Sequence, residues 1–450
     1  MIRVGFNAKT GGGAEFSRCG RVGALYPLAS RRPLLVIPGE RICIMTRLNR
    51  SLLWLCLIAG SLLTKSPVLA QDISRFTLEA GERVALIGDA LIDDDAAQGF
   101  LEYFFATQSP GKSIDTRNLA WVLAAPGTNE PAKYRVTTNS LAALRKQLDA
   151  FRPTIAVVGF GLASGPSEVT DVTNAIERVL ATLRQSAGTN PVRLIILSPL
   201  RREQAAPPLD LAVINLQLSN TVSAVEALAT RRGGRFVNLF ERLTNDRMIP
   251  PPPSLTGEGG HLTGYGCRRM AEWVAYLIGF EPPRWRFGVL ADGKMRQGGY
   301  GVTVLETNKT TERARFVVQL ANLPLPPLPA NLTNAYDMNP ANRMQIVGMK
   351  PGRFDFKIDG QTVATPTDQA LNQSIVVGSG PMYDRAEQLR QAIVKKAELH
   401  RQRARNAGPL KPEEAARLDK QLAELEKRIA DLRVPGKNVL EIVPAAPQAP

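Results

Sequence analysis

A carboxylate and a histidine stand at a spacing that suits proton transfer. Glu258 precedes His261 by three residues in the stretch 258–261. A carboxylate that accepts a hydrogen bond from one ring nitrogen can hold an imidazole in the tautomer that accepts a proton at the other. The spacing therefore predicts a general base, His261, oriented by Glu258. Because a lone histidine is more often structural than catalytic, this prediction depends on the surrounding segments.

Three further loops are expected near this pair, and the first and third of them follow short apolar runs that read as strands. They contain Gly88-Asp89-Ala90, residues 117–121 and residues 159–163. If these strands are parallel, their carboxyl ends meet at one edge of a sheet, where ligands bind in open α/β folds. We therefore expect these loops and the 258–263 loop to lie together.

The segments between the loops alternate strand-like and helix-like patterns. Apolar, β-branched runs predict strands, and longer amphipathic runs predict helices. The predicted strands lie near 83–88, 154–159, 192–197 and 235–239, and the predicted helices cover 95–108, 137–151, 168–187, 210–233 and 263–279. This alternation is typical of an α/β domain whose parallel sheet is covered on both faces. The sequence predicts such a domain over residues 81–280.

The order of the four loops resembles the SGNH/GDSL hydrolase family of esterases and acyl hydrolases. The resemblance covers residues 81–280 and implies a flavodoxin-like three-layer sandwich. The segments MKPGRFDFKIDGQTV and GPMYDRAEQLRQAI also resemble the tail of a subgroup of exported bacterial members, which extends the likeness less specifically to about residue 435.

The same resemblance indicates that central catalytic groups are missing. The family's first block is Gly-Asp-Ser, so Asp89 matches and Ala90 stands at the position of the nucleophilic serine. A methyl group cannot form an acyl intermediate. The oxyanion-binding glycine corresponds to Ala120, which keeps a backbone amide. The oxyanion asparagine corresponds to Ala163, two residues after Gly161, and its loss removes a donor worth about 3–4 kcal/mol in the transition state.

The fourth block of the family is Asp-x-x-His, so Glu258 stands where the family has an aspartate that orients the base. Glu258 and His261 are then the remnant of the catalytic machinery. The resemblance implies no cofactor and no metal. Residues 93–95 are three aspartates, which could suggest a metal cluster. We interpret them instead as capping and charge-matching the start of the helix predicted at 95.

Other side chains near these loops keep two interpretations. Ser164 and Ser167 are either displaced nucleophiles or, more often for such a loop, turn residues. Three aromatic side chains could line a sugar-binding cleft or pack in the core; they are Trp121, Phe160 and Tyr265.

Residues 45–70 have the pattern of a signal peptide. Arg47 and Arg50 precede an apolar run over 51–63, and Val68 and Ala70 suit a signal peptidase. The run is too short for a comfortable membrane span of roughly 20 residues. We expect export to the periplasm or beyond with no stable membrane span after cleavage, and we interpret residues 1–44 as an over-extended start.

Cleavage after residue 70 would change the composition. It would remove ten of the 56 basic and two of the 41 acidic residues, which leaves a net charge of +7, and it would leave Cys267 as the single cysteine. A disulfide framework within one mature chain is then excluded. A mild positive charge without a basic-aromatic motif does not indicate a nucleic-acid partner.

The C-terminal part of the chain changes in character. Residues 286–380 predict a β-rich module with a hairpin turn at Asp359-Gly360. Residues 383–433 predict a helical hairpin or coiled-coil-like tail, and residues 434–450 a disordered tail. The second predicted helix carries an apolar stripe, formed by Leu418, Leu422, Leu425, Ile429 and Leu432.

Three functions remain open on the sequence alone. The first is a non-catalytic protein that binds a glycan or an acylated ligand in the former active-site cleft. The second is a weak or divergent ester hydrolase in which Glu258 and His261 activate water. The third is a structural or interaction protein that acts through its helical tail.

Overall fold

A five-stranded parallel sheet forms the centre of the first half of the chain. The computed structural model describes residues 75–124, 136–161, 169–204, 210–243, 253–257, 260–327, 342–405 and 411–446. The strands are β1 (Glu82–Gly88), β2 (Ile114–Asn118), β3 (Ile155–Gly159), β4 (Arg193–Leu197) and β5 (Arg235–Val237), in the order β2-β1-β3-β4-β5. All four pairings are parallel, which confirms the predicted sheet and adds β2 as an edge strand.

Helices cover both faces of this sheet. They are α1 (Ala90–Ala96), α2 (Phe100–Thr107), α3 (Thr138–Phe151), α4 (Val169–Ala187), α5 (Leu211–Arg231), α6 (Leu239–Arg242) and α7 (Gly264–Leu277). Alternate side chains of β1 enter opposite cores: Val84 and Leu86 pack towards α2 and α7, and Ala85 and Ile87 pack towards α3 and α4. The α/β three-layer sandwich predicted from the sequence is confirmed.

The helix predicted over 95–108 is wrong in its bounds. The chain forms two helices there, because Gly99 adopts a left-handed conformation (φ 75°) between α1 and α2. The cap of α1 is Asp89, whose side chain accepts a hydrogen bond from the Leu91 amide. The aspartates 93–95 therefore lie inside α1, with Asp93 in its first turn, and the interpretation as caps holds only for Asp95, which accepts from the first amides of α2.

The β-rich C-terminal region contains two sheets. Its strands are β6 (Arg286–Val289), β7 (Val302–Lys309), β8 (Ala314–Leu320), β9 (Asn342–Ile346), β10 (Phe354–Ile358), β11 (Gln361–Ala364), β12 (Ile375–Val377) and β13 (Lys437–Pro444). One sheet has the order β11-β10-β13-β8-β7 and the other β12-β9-β6. A short helix, α8 (Asp368–Gln373), precedes β12. Asp359 and Gly360 both have positive φ in the turn between β10 and β11, as predicted for a hairpin.

The predicted disordered tail at 434–450 is wrong over residues 437–444. Residues 437–444 form β13, which lies between β10 and β8 and pairs with both. Leu440 and Ile442 are buried in the core of the β-rich region. Their period-two alternation is a strand signal, which the proline-rich end of the chain obscured. Residues 447–450 lie outside the described residues.

The two tail helices pack on each other and on the α/β domain. They are α9 (Pro381–Arg405) and α10 (Pro412–Leu432), and the stripe residues Leu418 and Leu422 cluster with Leu399 of α9. Lys396 of α9 is almost fully buried, donates to the Thr116 carbonyl (2.8 Å) and forms an ion pair with Glu102. Burial lowers the pKa of Lys396, but the carboxylates of Glu102 and Asp115 outweigh it and the pKa is raised. The helical hairpin is thus held within the chain.

No helix among the described residues combines the length and the apolar composition that crossing a bilayer requires.

Candidate functional site

The first loop of the sheet edge is closed by the side chain of Asp89. Gly88 and Gly159 are in register on β1 and β3, and a Cβ atom on Gly88 would lie 2.0 Å from the Gly159 carbonyl oxygen. One Asp89 oxygen accepts from the Leu91 amide (3.0 Å) and the other from the Gly161 amide (2.7 Å). Asp89 is only 2% exposed, so this carboxylate ties the ends of two strands together inside the protein.

Ala90, at the position of the family's nucleophile, is fully buried. It is the first residue of α1, and its exposed fraction is 0%. Its side chain offers no hydroxyl, thiol or other nucleophilic atom. The covalent route of the resembled family therefore has no nucleophile at this position.

The Ala120 amide, predicted to help bind the oxyanion, and the amide of Gly161 in the predicted oxyanion region are already hydrogen-bonded within the protein. The Gly161 amide donates to Asp89 at 2.7 Å, and the Ala120 amide donates to the side-chain oxygen of Asn118 at 3.1 Å. Asn118 is held in turn because its amide nitrogen donates to the Ile92 carbonyl (2.8 Å). Neither amide can bind an oxyanion without giving up an existing bond.

His261 is held by a carboxylate other than the one expected from spacing. Its Nδ1 lies 2.8 Å from one oxygen of Asp94, and the other oxygen accepts from the Leu262 amide at 2.7 Å. Nδ1 is the donor when this carboxylate is ionised, which leaves Nε2 as the acceptor. The histidine side chain is 40% exposed and that of Asp94 16%. Asp94 therefore orients the His261 ring, while the predicted partner Glu258 lies outside the described residues.

Burial sets the protonation of this carboxylate. It raises the pKa of Asp94 from 3.8 to about 6, against the opposing hydrogen bonds from His261 and the Leu262 amide. Asp94 is thus ionised near neutral pH and becomes protonated in mildly acidic solution, at a higher pH than an exposed aspartate would.

The other two aspartates of α1 have different partners. Asp93 pairs with Arg401 of α9. Asp95 accepts from the amides of Phe100 and Leu101 at the start of α2 (3.1 and 3.0 Å). Among the described residues, no group of three or more His, Cys, Asp or Glu side chains could hold a metal ion.

Several predicted site residues lie outside the described residues, namely Glu258, Ala163, Ser164 and Ser167. The three aromatic side chains considered for a sugar-binding cleft are buried in the hydrophobic cores; they are Trp121, Phe160 and Tyr265. These three residues serve packing.

The sequence analysis did not identify Asp94 as the partner of His261, and it did not consider Arg202 at this edge of the sheet. Arg202 follows β4 at the same edge and is only 3% exposed. Burial lowers the pKa of its guanidinium, although the negative charge of Asp89 opposes that shift. Its position beyond the carboxyl end of a predicted strand was the available signal.

One solved structure shares the fold of most of this chain, and further solved structures are similar to a smaller part of it. A gut microbial diltiazem-metabolizing enzyme aligns over 82% of this chain and 99% of its own, with a TM-score of 0.63 at 14% identity. A GDSL-like lipase from Bacteroides thetaiotaomicron aligns over 44% of this chain and 87% of its own (TM-score 0.30, 16% identity). A catalytic mutant of an acetylxylan esterase from Geobacillus stearothermophilus aligns over 46% and 98% (TM-score 0.33, 16% identity).

No family model matches the sequence, and no curated protein matches it. The chain shares with the diltiazem-metabolizing enzyme an α/β fold, which here is a parallel five-stranded sheet followed by a β-rich region and C-terminal helices.

Proposed function

We propose that this protein is a non-catalytic member of the SGNH-fold architecture that binds a glycan or an acylated ligand at the carboxyl edge of its parallel sheet. The observation that carries the proposal is the state of the former catalytic groups. Ala90 is buried without a nucleophilic atom, and the amides of Gly161 and Ala120 are bonded to Asp89 and Asn118.

His261 is the side chain best placed to meet such a ligand. It is partly exposed, and Asp94 fixes the orientation of its ring. Its Nε2 can accept a hydrogen bond from a sugar hydroxyl without losing the bond at Nδ1. A pre-oriented group loses little conformational freedom on binding, which favours affinity.

Calorimetric titration with an acetylated oligosaccharide and with its deacetylated form tests this proposal. We expect His261→Ala to weaken binding of at least one of them by about tenfold, the cost of one good hydrogen bond. Asn190→Ala is the matched control, because Asn190 is exposed and lies before β4 at the opposite edge of the sheet. Absence of binding by the wild-type protein, or equal weakening in both variants, would overturn the proposal.

The pair of His261 and Asp94 also favours a second function, weak ester hydrolysis by activated water. Release of acetate from the same oligosaccharide, measured with the wild type and with His261→Ala, separates the two. Turnover by the wild type that is lost in His261→Ala supports water activation. Binding without turnover supports the non-catalytic function.

We further propose that the protein is exported, from the pattern of residues 45–70. N-terminal sequencing of protein made in its own host should begin at or near Gln71. An intact residue 1 or 45 in the cytosolic fraction would contradict export.

A further inference from the structure

The outer face of the three-stranded sheet carries an unusual pair of neighbouring arginines. Arg286 of β6 and Arg343 of β9 are in register on adjacent parallel strands. Their neighbours along each strand, Phe287 and Met344, are buried in the core of the β-rich region. Because side chains alternate along a strand, both arginines lie on the opposite, exposed face. Two like charges directly opposite each other destabilise a sheet.

A third arginine approaches the same face. The Arg296 amide donates to the Gly288 carbonyl (2.8 Å), and Gly288 is in register with Gln345. The Arg296 guanidinium donates to the Gln345 side-chain oxygen, and the Gln345 nitrogen donates to the Asn372 carbonyl (2.6 Å). Gln345 thus ties Arg296 to the end of α8 and fixes its position beside the pair.

These three arginines line a groove of about 370 Å³. The lining of the groove also includes Gly298, Gly299 and Ser374. It contains no aspartate or glutamate among the described residues. Within the described part of the chain, none of the three guanidinium groups forms an ion pair with a carboxylate. Other arginines of the same region, such as Arg315 with Glu306, do have such a partner.

The backbone on one side of the groove is held in a conformation that favours glycine. Ser374 has φ 121° and follows α8. Strained non-glycine residues persist where the surrounding structure determines them and often lie at ligand sites. Ser374 lines the groove, and a serine hydroxyl can donate to an anion bound there.

We propose that this groove, formed by Arg286, Arg296 and Arg343, binds a doubly charged oxyanion, which is free phosphate, free sulfate or the phosphate monoester of a small organic molecule. Guanidinium groups match such oxyanions with two parallel hydrogen bonds each. The volume lies in the range of small-molecule sites. An anion in the groove reduces the electrostatic repulsion between Arg286 and Arg343, and this reduction favours binding.

Calorimetric titration of the full chain at constant ionic strength tests the proposal, with inorganic phosphate, sulfate, glucose 6-phosphate and acetate as probes. We expect saturable binding of phosphate or sulfate and weaker binding of acetate, which carries a single charge. Tighter binding of glucose 6-phosphate than of phosphate identifies an ester as the ligand, and equal binding identifies the free anion. No saturable binding of any doubly charged probe, or acetate binding as tight as phosphate, overturns the proposal.

Variants show whether the groove is the site. Arg286→Gln and Arg343→Gln should each weaken binding by about tenfold or more, the usual effect of losing a hydrogen bond to a charged group. Arg313→Gln removes an equal charge from an exposed position outside the groove and should leave binding unchanged. If one variant does not fold, the other and Arg296→Gln provide the same test. Equal weakening in Arg313→Gln would mean that net charge, and not the groove, attracts the anion.

Discussion

The polar groups at the carboxyl edge of the parallel sheet differ in their partners from those in the arginine groove, the groove lined by Arg286, Arg296 and Arg343. At the edge, the Asp89 carboxylate and the Asn118 side chain are bonded to backbone amides of the same edge. In the groove, Arg286 and Arg343 face solvent beside each other without a carboxylate among the described residues. The polar groups at the edge hold strands and helices in place. The guanidinium groups of the groove are available to a ligand.

This difference predicts that the polar groups of the edge contribute to the stability of the fold, whereas those of the groove contribute to ligand binding. Buried polar groups that satisfy each other are costly to remove, because each partner is left without a hydrogen bond. Exposed like charges contribute no stability and can even reduce it. Stability should therefore respond most to changes at the buried polar groups of the edge, such as Asp89, and oxyanion affinity to changes in the groove.

The largest effect is expected for Asp89→Ala. The substitution leaves two buried amides, those of Leu91 and Gly161, without acceptors, and it removes a negative charge near the buried Arg202. We expect the free energy of unfolding to fall by about 3 kcal/mol, measured by urea denaturation. Asp89→Asn keeps an acceptor and should cost clearly less. An unchanged stability of Asp89→Ala would contradict the structural role of this carboxylate.

The next effect is a pH dependence that comes from Asp94. Burial raises the pKa of Asp94 from 3.8 to about 6 in the folded state, so the folded protein binds this proton more tightly than the unfolded chain. Stability contributed by the group is therefore present at low pH and is lost as pH rises from about 4 to about 6. The unfolding free energy of the wild type relative to Asp94→Asn should fall by about 1–3 kcal/mol over that window.

Arg343→Gln is the control for this pH series, because a guanidinium stays charged throughout the same range. Its difference from the wild type should not change with pH. A flat difference for Asp94→Asn as well would show that Asp94 is not held as a buried partner of His261.

The smallest effect on stability is expected for Arg343→Gln itself. Removing one of two adjacent like charges should leave the free energy of unfolding within about 0.5 kcal/mol of the wild type or raise it slightly. Urea denaturation without added phosphate or sulfate measures this. A decrease of several kcal/mol in the free energy of unfolding would show that Arg343 stabilises the sheet. The proposed difference between the two regions would then be wrong.

The sequence predicted the parallel sheet well because buried parallel strands are continuous apolar runs. Four such strands were found close to their observed bounds, whereas β2 was missed since its polar alternation is typical of an edge strand. Within the site, His261 and Ala90 were located through the order of the loops. Asp94 was not, because its contact with His261 joins residues 167 positions apart, which no local spacing reveals.

The arginine groove was also beyond sequence reasoning. Arg286, Arg296 and Arg343 come from separate segments of the chain, and only the pairing of β6 with β9 brings two of them into register. The strand β13 was missed for a different reason, because the proline-rich end of the chain obscured its period-two alternation.

Labelling of the wild-type protein with a serine-directed fluorophosphonate, followed by mass spectrometry, shows whether this protein has a reactive serine. With alanine at position 90 and the amides of Gly161 and Ala120 already bonded, we predict no labelled serine and no burst of product from a short acyl ester. Stoichiometric labelling of any serine, Ser164 and Ser167 included, that is lost in His261→Ala would contradict the account and restore this protein to serine-dependent acyl chemistry.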